Sequence, residues 1–233
     1  DMTKRQEATT RFEAHEDELI QQLHQVATFP LDPFSPKQLL EYVYRKHEIR
    51  AIRRFRKTVT GERGYTETLD EAAIQELFSE RVLPEHIQQI LRLVLDIRAT
   101  HKILSTYLKA PLDKDGRLRC SYALTGTETG RLSSRETPLG TGTNLQNVPG
   151  CPHGKVRPCP EAFCPGIARE MVIPDPGMVF VAADLSQAEA RVVAHLARET
   201  RLLAVFGGGG DIHRRNAASI FHKSEAAVTP PER

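Results

Sequence analysis

Asp184 closes an apolar run, Val179-Phe180-Val181-Ala182-Ala183, and Val192, Val193 and Leu196 follow it at spacings of three and four. The run predicts a short buried strand, and the segment after it an amphipathic helix. A carboxylate at the carboxyl end of a buried strand is firmly held yet open to a cleft, which suits a hard cation. The same aspartate can instead cap the helix, and spacing alone leaves both readings open. A second cluster is Cys151, His153, Cys159 and Cys164, separated by one, five and four residues within a proline-rich stretch. Such ligands can close a tetrahedral Cys₃His zinc site, although the spacing matches no standard knuckle; the other reading is a loop of reduced, metal-free thiols. A third feature is a basic block: Arg45, Lys46, Arg50, Arg53, Arg54, Arg56, Lys57 and Arg63, opposed only by Glu48 and Glu62. It is either a solvated face or the footprint of phosphate binding.

The elements that must hold these residues are legible in outline. Residues 3 to 28 carry Phe12, Leu19, Ile20, Leu23 and Val26 among charges, an amphipathic helix stopped near Pro30. Ser35 and Pro36 open a second helix to about His47. The basic block ends in an expected loop from Thr60 to Gly64. Thr68 and Glu71 form a capping-box pattern before a helix from Ala72 to Arg81, and Pro84 opens a long helix with Ile87, Ile90, Leu91, Val94 and Leu95 on one face. Carried to Leu108, that helix would be about 37 Å long. From Pro111 the character changes. Asp115-Gly116 signals a turn, Arg117 to Leu124 reads as extended, and residues 125–147 are a polar stretch too long for a featureless connection. Asp175-Pro176-Gly177 is a further turn, expected to pair Met171–Ile173 with a strand from Met178 to Ala183. Asp211 can cap a helix from Ile212 to Phe221, at whose start His213 can meet a phosphate or simply face solvent.

The chain has 233 residues and a formal net charge of +2, so its overall charge does not point to nucleic acid, whereas its distribution does. No apolar run approaches a membrane span and no signal-peptide pattern opens the chain, which predicts a soluble protein, intracellular and cytoplasmic in a bacterial or phage-infected cell, with no membrane partner. Its four cysteines, three of them clustered, do not read as a secreted disulfide framework. Both ends look arbitrary, which predicts a piece of a longer protein.

The run Asp184-Leu185-Ser186-Gln187-Ala188-Glu189-Ala190-Arg191 closely resembles the palm motif of family A DNA polymerases. Other stretches resemble that family in the same order. Phe34 to Leu39, Lys57 to Gly61 with Gly64-Tyr65-Thr66, and Leu104 to Tyr107 are similar to parts of its thumb. Thr129 to Ser134 and Asn144 to Pro149 are similar to DNA-contacting palm segments, and Asp211-Ile212-His213 to the start of the fingers. The resemblance spans about residues 29 to 221, and the spelling from Arg135 to Thr143 looks most like phage-type members. Leu185 and Ala188 stand where the commonest form of the motif has Tyr and Ile. The family's second catalytic aspartate, its triphosphate-gripping fingers helix and its exonuclease carboxylates have no counterpart here.

The resemblance implies an α+β fold, a helical thumb followed by part of an antiparallel-sheet palm with packed helices. Residues 1–110 would be thumb, 111–200 partial palm with a Cys/Pro-rich insertion at 149–165, and 201–233 the start of the fingers. It implies primer-template DNA and deoxynucleoside triphosphates as partners, with the polymerase segments beyond residue 233 as the remainder. The activity would be nucleotidyl transfer with two Mg²⁺ ions, catalytically incomplete in this chain. Asp184 would be the catalytic metal ligand, with the Leu185 carbonyl beside it, and Gln187, Glu189 and His213 would meet the incoming nucleotide. Glu189 against the sugar would exclude a 2′-hydroxyl, which disfavours a single-subunit RNA polymerase. Arg131, Asn144, Gln146 and Asn147 carry donors suited to the shared minor-groove acceptors, or else tie a loop to its own backbone. Lys37, Arg53, Arg54, Lys57, Arg98 and Lys102 would be phosphate contacts. The rival reading is a noncatalytic duplex-DNA-binding module derived from a polymerase.

Overall fold

In the computed structural model, which describes residues 1–57, 63–152, 161–229 and 232–233, the chain forms two compact units, Asp1–Ile173 and Pro174–Arg233. Among the described residues, the core of the first is built by four helices. Helix α1 (Met2–Ala27) is capped by the Asp1 carboxylate, which accepts from Lys4 N–H, and stops where Thr28 turns left-handed (φ 65°). Helix α2 (Pro36–Leu40) starts as expected, with Ser35 Oγ accepting from Gln38 N–H at 3.4 Å, and continues as a π-helical segment over Glu41–Lys46. Helices α3 (Glu71–Glu80) and α4 (Glu85–Ile103) complete the set, and a π-helical turn, Leu104–Leu108, carries α4 to the length expected. Their apolar faces share one core in which Leu23, Leu39, Val43, Ile74, Leu77, Ile87, Ile90 and Ile97 are fully covered.

The capping box at the start of α3 is corrected by two residues. Asp70 is the cap, its Oδ1 accepting from Ala73 N–H at 2.9 Å, while Thr68 Oγ1 accepts from Asp70 N–H at 3.2 Å. Thr68 is withheld from capping by its own backbone. Its N–H donates to the Ile52 carbonyl and its carbonyl accepts from Tyr44 Oη–H at 2.7 Å, so it stays extended.

Between α2 and α3 the basic block folds as an antiparallel hairpin, β1 (Arg53–Lys57) with β2 (Arg63–Glu67). The sequence carried no sign of it, because Arg-Arg-Phe-Arg-Lys lacks the apolar alternation of a half-buried strand. Cross-strand pairs hold it instead: Arg53 lies opposite Glu67 and ion-pairs with it at 3.3 Å, and Phe55 lies opposite Tyr65.

After α4 the chain is mostly loop. Asp115-Gly116 makes the expected turn, with Gly116 at φ 76°, but only β3 (Ser121–Ala123) of the predicted extended segment forms a strand, paired with β4 (Ser133–Arg135). Arg119 anchors this region through hydrogen bonds to both Asp113 and Asp115, which hold the Asp115 carboxyl down at about 2. Gly142 completes the anchor, its N–H donating to the Pro111 carbonyl at 2.6 Å. With φ at +79° and a Cβ there falling 1.8 Å from the Arg119 carbonyl oxygen, the position admits only glycine. Helix α5 (Ile167–Glu170) packs Ala168 into a second cluster with Phe12, Leu104 and Leu108.

Among the described residues, the second unit has three short α-helices, α6 (Ala188–Leu196), α7 (Thr200–Gly207) and α8 (Ile212–Ile220), around Ala194, Phe206 and Ile212. Here three expectations fail. The turn at Asp175-Pro176-Gly177 forms, with Met178 N–H donating to the Asp175 carbonyl at 2.9 Å, but the hairpin across it does not. Val179 and Val181 are 81% and 87% exposed, so the run before Asp184 is neither a strand nor buried. An apolar run becomes a strand only when a neighbour takes its backbone hydrogen bonds, and among the described residues none does. The stripe Val192, Val193 and Leu196 is likewise exposed, and α6 instead packs through Ala194, with Ala190 partly covered. The α+β class stands, with small antiparallel pairs beside predominant helix. Truncation of Ile90, fully buried on α4, should therefore cost about 2–5 kcal/mol in chemical denaturation. Val82→Ala, at a fully exposed position, should stay within about 0.5 kcal/mol of the parent.

Candidate nucleic-acid and nucleotide site

The residues singled out in the sequence fall into three groups. In the first, on the helices and the β1–β2 hairpin, Lys37 and Lys102 are exposed. Arg53 is exposed and shares Glu67 with Arg45, so one carboxylate stands between two guanidiniums; hydrogen bonding from Arg45 is the main cause that lowers the Glu67 carboxyl. Arg54 ion-pairs with Glu76 on α3. Arg98 is differently placed. Half-buried on α4, it donates from Nε to the Pro33 carbonyl at 2.9 Å and from Nη1 to the Leu69 carbonyl at 2.8 Å. Burial lowers its pKa, and Asp70 and Asp32 oppose that shift. Arg98 is thereby committed to joining the segments on either side of the hairpin. The side chain of Lys57 lies outside the described residues.

The second group lies just ahead of β4 (Arg131) and along the 3₁₀ turn Leu145–Asn147 with its cap (Asn144, Gln146, Asn147). Asn144 caps that turn, its Oδ1 accepting from Gln146 N–H at 3.0 Å and from Ser134 Oγ–H at 2.8 Å. Gln146 Nε2 donates to the Leu132 carbonyl at 3.1 Å, and the Asn147 carbonyl accepts from Tyr107 Oη–H at 2.6 Å. These polar residues tie the loop to its own backbone and to the end of α4. The structure thus brings Asn144, Gln146 and Asn147 together beside the strand that follows Arg131, itself exposed. Asn147 and Gln146 remain exposed at the same loop.

The third group belongs to the second unit. Asp184 and Leu185 are exposed ahead of α6, which Gln187 precedes in the left-handed region (φ 54°). The Gln187 carboxamide is used at both ends: Nε2 donates to the Gly210 carbonyl at 3.2 Å, and Oε1 accepts from Ile212 N–H at 2.8 Å. It clamps the start of α6 to the start of α8, where Asp211 accepts from His213 N–H at 3.0 Å and the His213 ring is exposed. Nothing in spacing signalled this clamp, since its partners are main-chain groups more than twenty residues away. Arg191 donates to the Ser186 carbonyl at 2.9 Å and lies over the Phe206 ring, 4.8 Å from its centroid, so the arginine of the motif holds α6 to α7. Glu189 is exposed on the first turn of α6.

For metals, Asp184 offers one carboxylate. Among the described residues no group of three or more His, Cys, Asp or Glu is arranged to hold an ion. Two of the four expected zinc ligands, His153 and Cys159, lie outside the described residues. Of the others, Cys151 is half-buried, and Cys164 is buried with its Sγ accepting from Gly166 N–H at 3.3 Å. Among the described residues no helix is long and apolar enough to cross a membrane.

If the clamp holds α8 in place, Gln187→Ala should speed amide exchange at Ile212 about fivefold, the worth of one hydrogen bond of about 1 kcal/mol, and leave the Ala194 amide protected.

The family model of DNA polymerase family A matches residues 2–233. DNA polymerase I of Caldicellulosiruptor bescii is 34% identical over 91% of this chain and 22% of its own length. DNA polymerase I of Geobacillus stearothermophilus is 34% identical over 84% of this chain and 19% of its own. The chain thus spans about a fifth of the length of these relatives. Among solved structures, the polymerase domain of Pol1 from M. smegmatis, in complex with a DNA primer-template and dNTP, superposes with a TM-score of 0.71. The two are 26% identical over all of this chain and 36% of that one. With the palm motif leading into α6 and a family match from one end to the other, the chain belongs to DNA polymerase family A.

Proposed function

We propose that this chain is part of a phage-type polymerase that extends a primer 3′-hydroxyl with deoxynucleoside triphosphates on a template strand. The observation that carries the reading is the run Asp184 to Arg191 at the start of α6, in a chain matched by the family model over residues 2–233. On this reading residues 1–110 act as thumb, 111–200 as partial palm and 201–233 as the start of the fingers. The thumb grips the duplex by its phosphates, which accounts for exposed Lys37, Arg53 and Lys102. Asn147, Gln146 and Arg131 offer donors towards the minor groove, where hydrogen-bond acceptors are alike for every pair and fit can be sensed without sequence.

Asp184 supplies a hard oxygen ligand, and the Leu185 carbonyl a second donor, to the Mg²⁺ pair of the complete enzyme. Bound there, the ions would neutralise charge developing at the α-phosphate and favour the 3′-oxygen as nucleophile. One carboxylate and one carbonyl do not make a two-ion site, so the chain by itself is catalytically incomplete. Gln187 contributes by holding the start of α8, and with it His213, where phosphates of the nucleotide would arrive. Glu189, exposed on the first turn of α6, is the group set against the sugar.

Two measurements test this. Duplex binding by this chain should weaken with salt along a log–log slope of about −4 to −5, if about four to six phosphates are neutralised. Charge reversal at Arg53 and Arg54 should flatten that slope; salt-insensitive binding would count against a thumb. In the complete polymerase, Asp184→Ala should slow single-turnover extension by orders of magnitude with primer binding nearly intact. Glu189→Ala should instead admit ribonucleotides more readily. An Asp184→Ala enzyme of unchanged turnover, or robust extension by this chain alone, would overturn the catalytic reading and leave a DNA-binding module.

A further inference from the structure

The β1–β2 hairpin sets Phe55 directly opposite Tyr65, with Arg53 opposite Glu67 on one side of the pair and Lys57 opposite Arg63 on the other. The two rings meet edge to face, centroids 5.3 Å apart and planes at 65°. Neither is covered: Phe55 is 59% exposed and Tyr65 73%. Cross-strand contact explains why they touch each other. It does not explain why two large rings are left in water, since an edge-to-face pair keeps ring faces open.

The surroundings of the pair are cationic. At one rung the guanidiniums of Arg45 and Arg53 share the single carboxylate of Glu67, and two positive charges against one negative leave a net +1. Both side chains keep more than half of their surface in water, at 53% and 65%. Two rungs past the rings the register pairs Lys57 with Arg63, both basic by sequence. An apolar protein partner would have to strip water from these charges without repaying it. A strand of unpaired nucleotides satisfies both features at once, because every base has a flat π-face and every linkage a negative charge.

We infer that the Phe55–Tyr65 face of the hairpin is a stacking platform for unpaired bases of a nucleic-acid strand, with the strand's phosphates running along the flanking cations. The inference rests on the nucleic-acid reading above but concerns a different ligand. In a duplex the base faces are already buried against one another, and only the phosphate contacts remain. Binding is therefore indifferent to sequence and divides into two separable parts, a salt-sensitive one carried by cations and a salt-insensitive one carried by the rings.

The test is fluorescence anisotropy of labelled oligothymidylate and of a blunt duplex, each about 12 residues long, a length within the site sizes of single-strand binders. Each is titrated with this chain across a range of salt. Phe55→Leu and Tyr65→Leu should each weaken oligothymidylate binding about five- to 150-fold, which corresponds to about 1–3 kcal/mol, with the salt slope unchanged. Duplex affinity should not move, and Tyr65→Phe, which keeps the ring, should bind like the parent. Thermal unfolding of the leucine variants matching the parent confirms that the hairpin's surroundings are intact. No binding of oligothymidylate at low salt, unchanged affinity in both leucine variants, or an equal loss on single strand and duplex would overturn the platform. Failure of the duplex reading is seen separately, as a duplex salt slope that charge reversal at Arg53 and Arg54 does not alter.

Discussion

Burial of helix α4 is the constraint on which the first unit rests. Ile87, Ile90, Leu91, Val94 and Ile97 are almost wholly covered, and α1, α3 and the α2 segment reach one core through them. Packing of this kind makes the helices rigid enough to carry a hairpin that has no core of its own. Arg98 adds a polar counterpart on the same helix. Its two donated hydrogen bonds bind the Pro33 loop and the Leu69 segment, which flank the hairpin in sequence, so its charge serves the scaffold. His101 and Lys109, paired with Glu16 and Glu13 at 2.7 Å each, fasten the far end of α4 and its extension to α1.

The surface carried by this scaffold divides its charges between internal pairs and open positions. Arg54, Arg98, Arg119 and Arg191 are occupied with glutamate, carbonyls, aspartates and an aromatic ring respectively. Lys37 and Lys102 are exposed, and Arg53, although paired with Glu67, keeps 65% of its side-chain surface in water. For a polymer such as DNA, whose affinity is set by how many phosphates are neutralised, this division matters more than the near-neutral total. The arginine of the Asp184–Arg191 run is likewise taken up within its own unit. Arg191 keeps α6 against α7 while Gln187 keeps α6 against α8, so the three short helices of the second unit are linked by side chains of one motif.

Where local chemistry decided the outcome, it was legible from the amino acids. The α1 and α4 helices, the Ser35-Pro36 start, the turns at Gly116 and Gly177 and the Asp211 cap follow from side-chain period and short-range hydrogen bonding. The family, too, was written in the order of its motifs. Other features depended on partners distant in sequence. The hairpin from Arg53 to Glu67 could not be read from its strands, because ion pairing and ring contact across them replace apolar alternation. Thr68 lost its capping role to Asp70 because Tyr44 and Ile52 had already claimed its backbone. The run from Val179 to Ala183 has the composition of a strand but lacks a neighbour to take its hydrogen bonds, so among the described residues it lies exposed. The order of residue types along the chain thus determined the family, the helices and the candidate chemistry. The tertiary structure decided which charged and amide side chains remain open to a ligand, because each donor is committed by whichever acceptor the fold brings near.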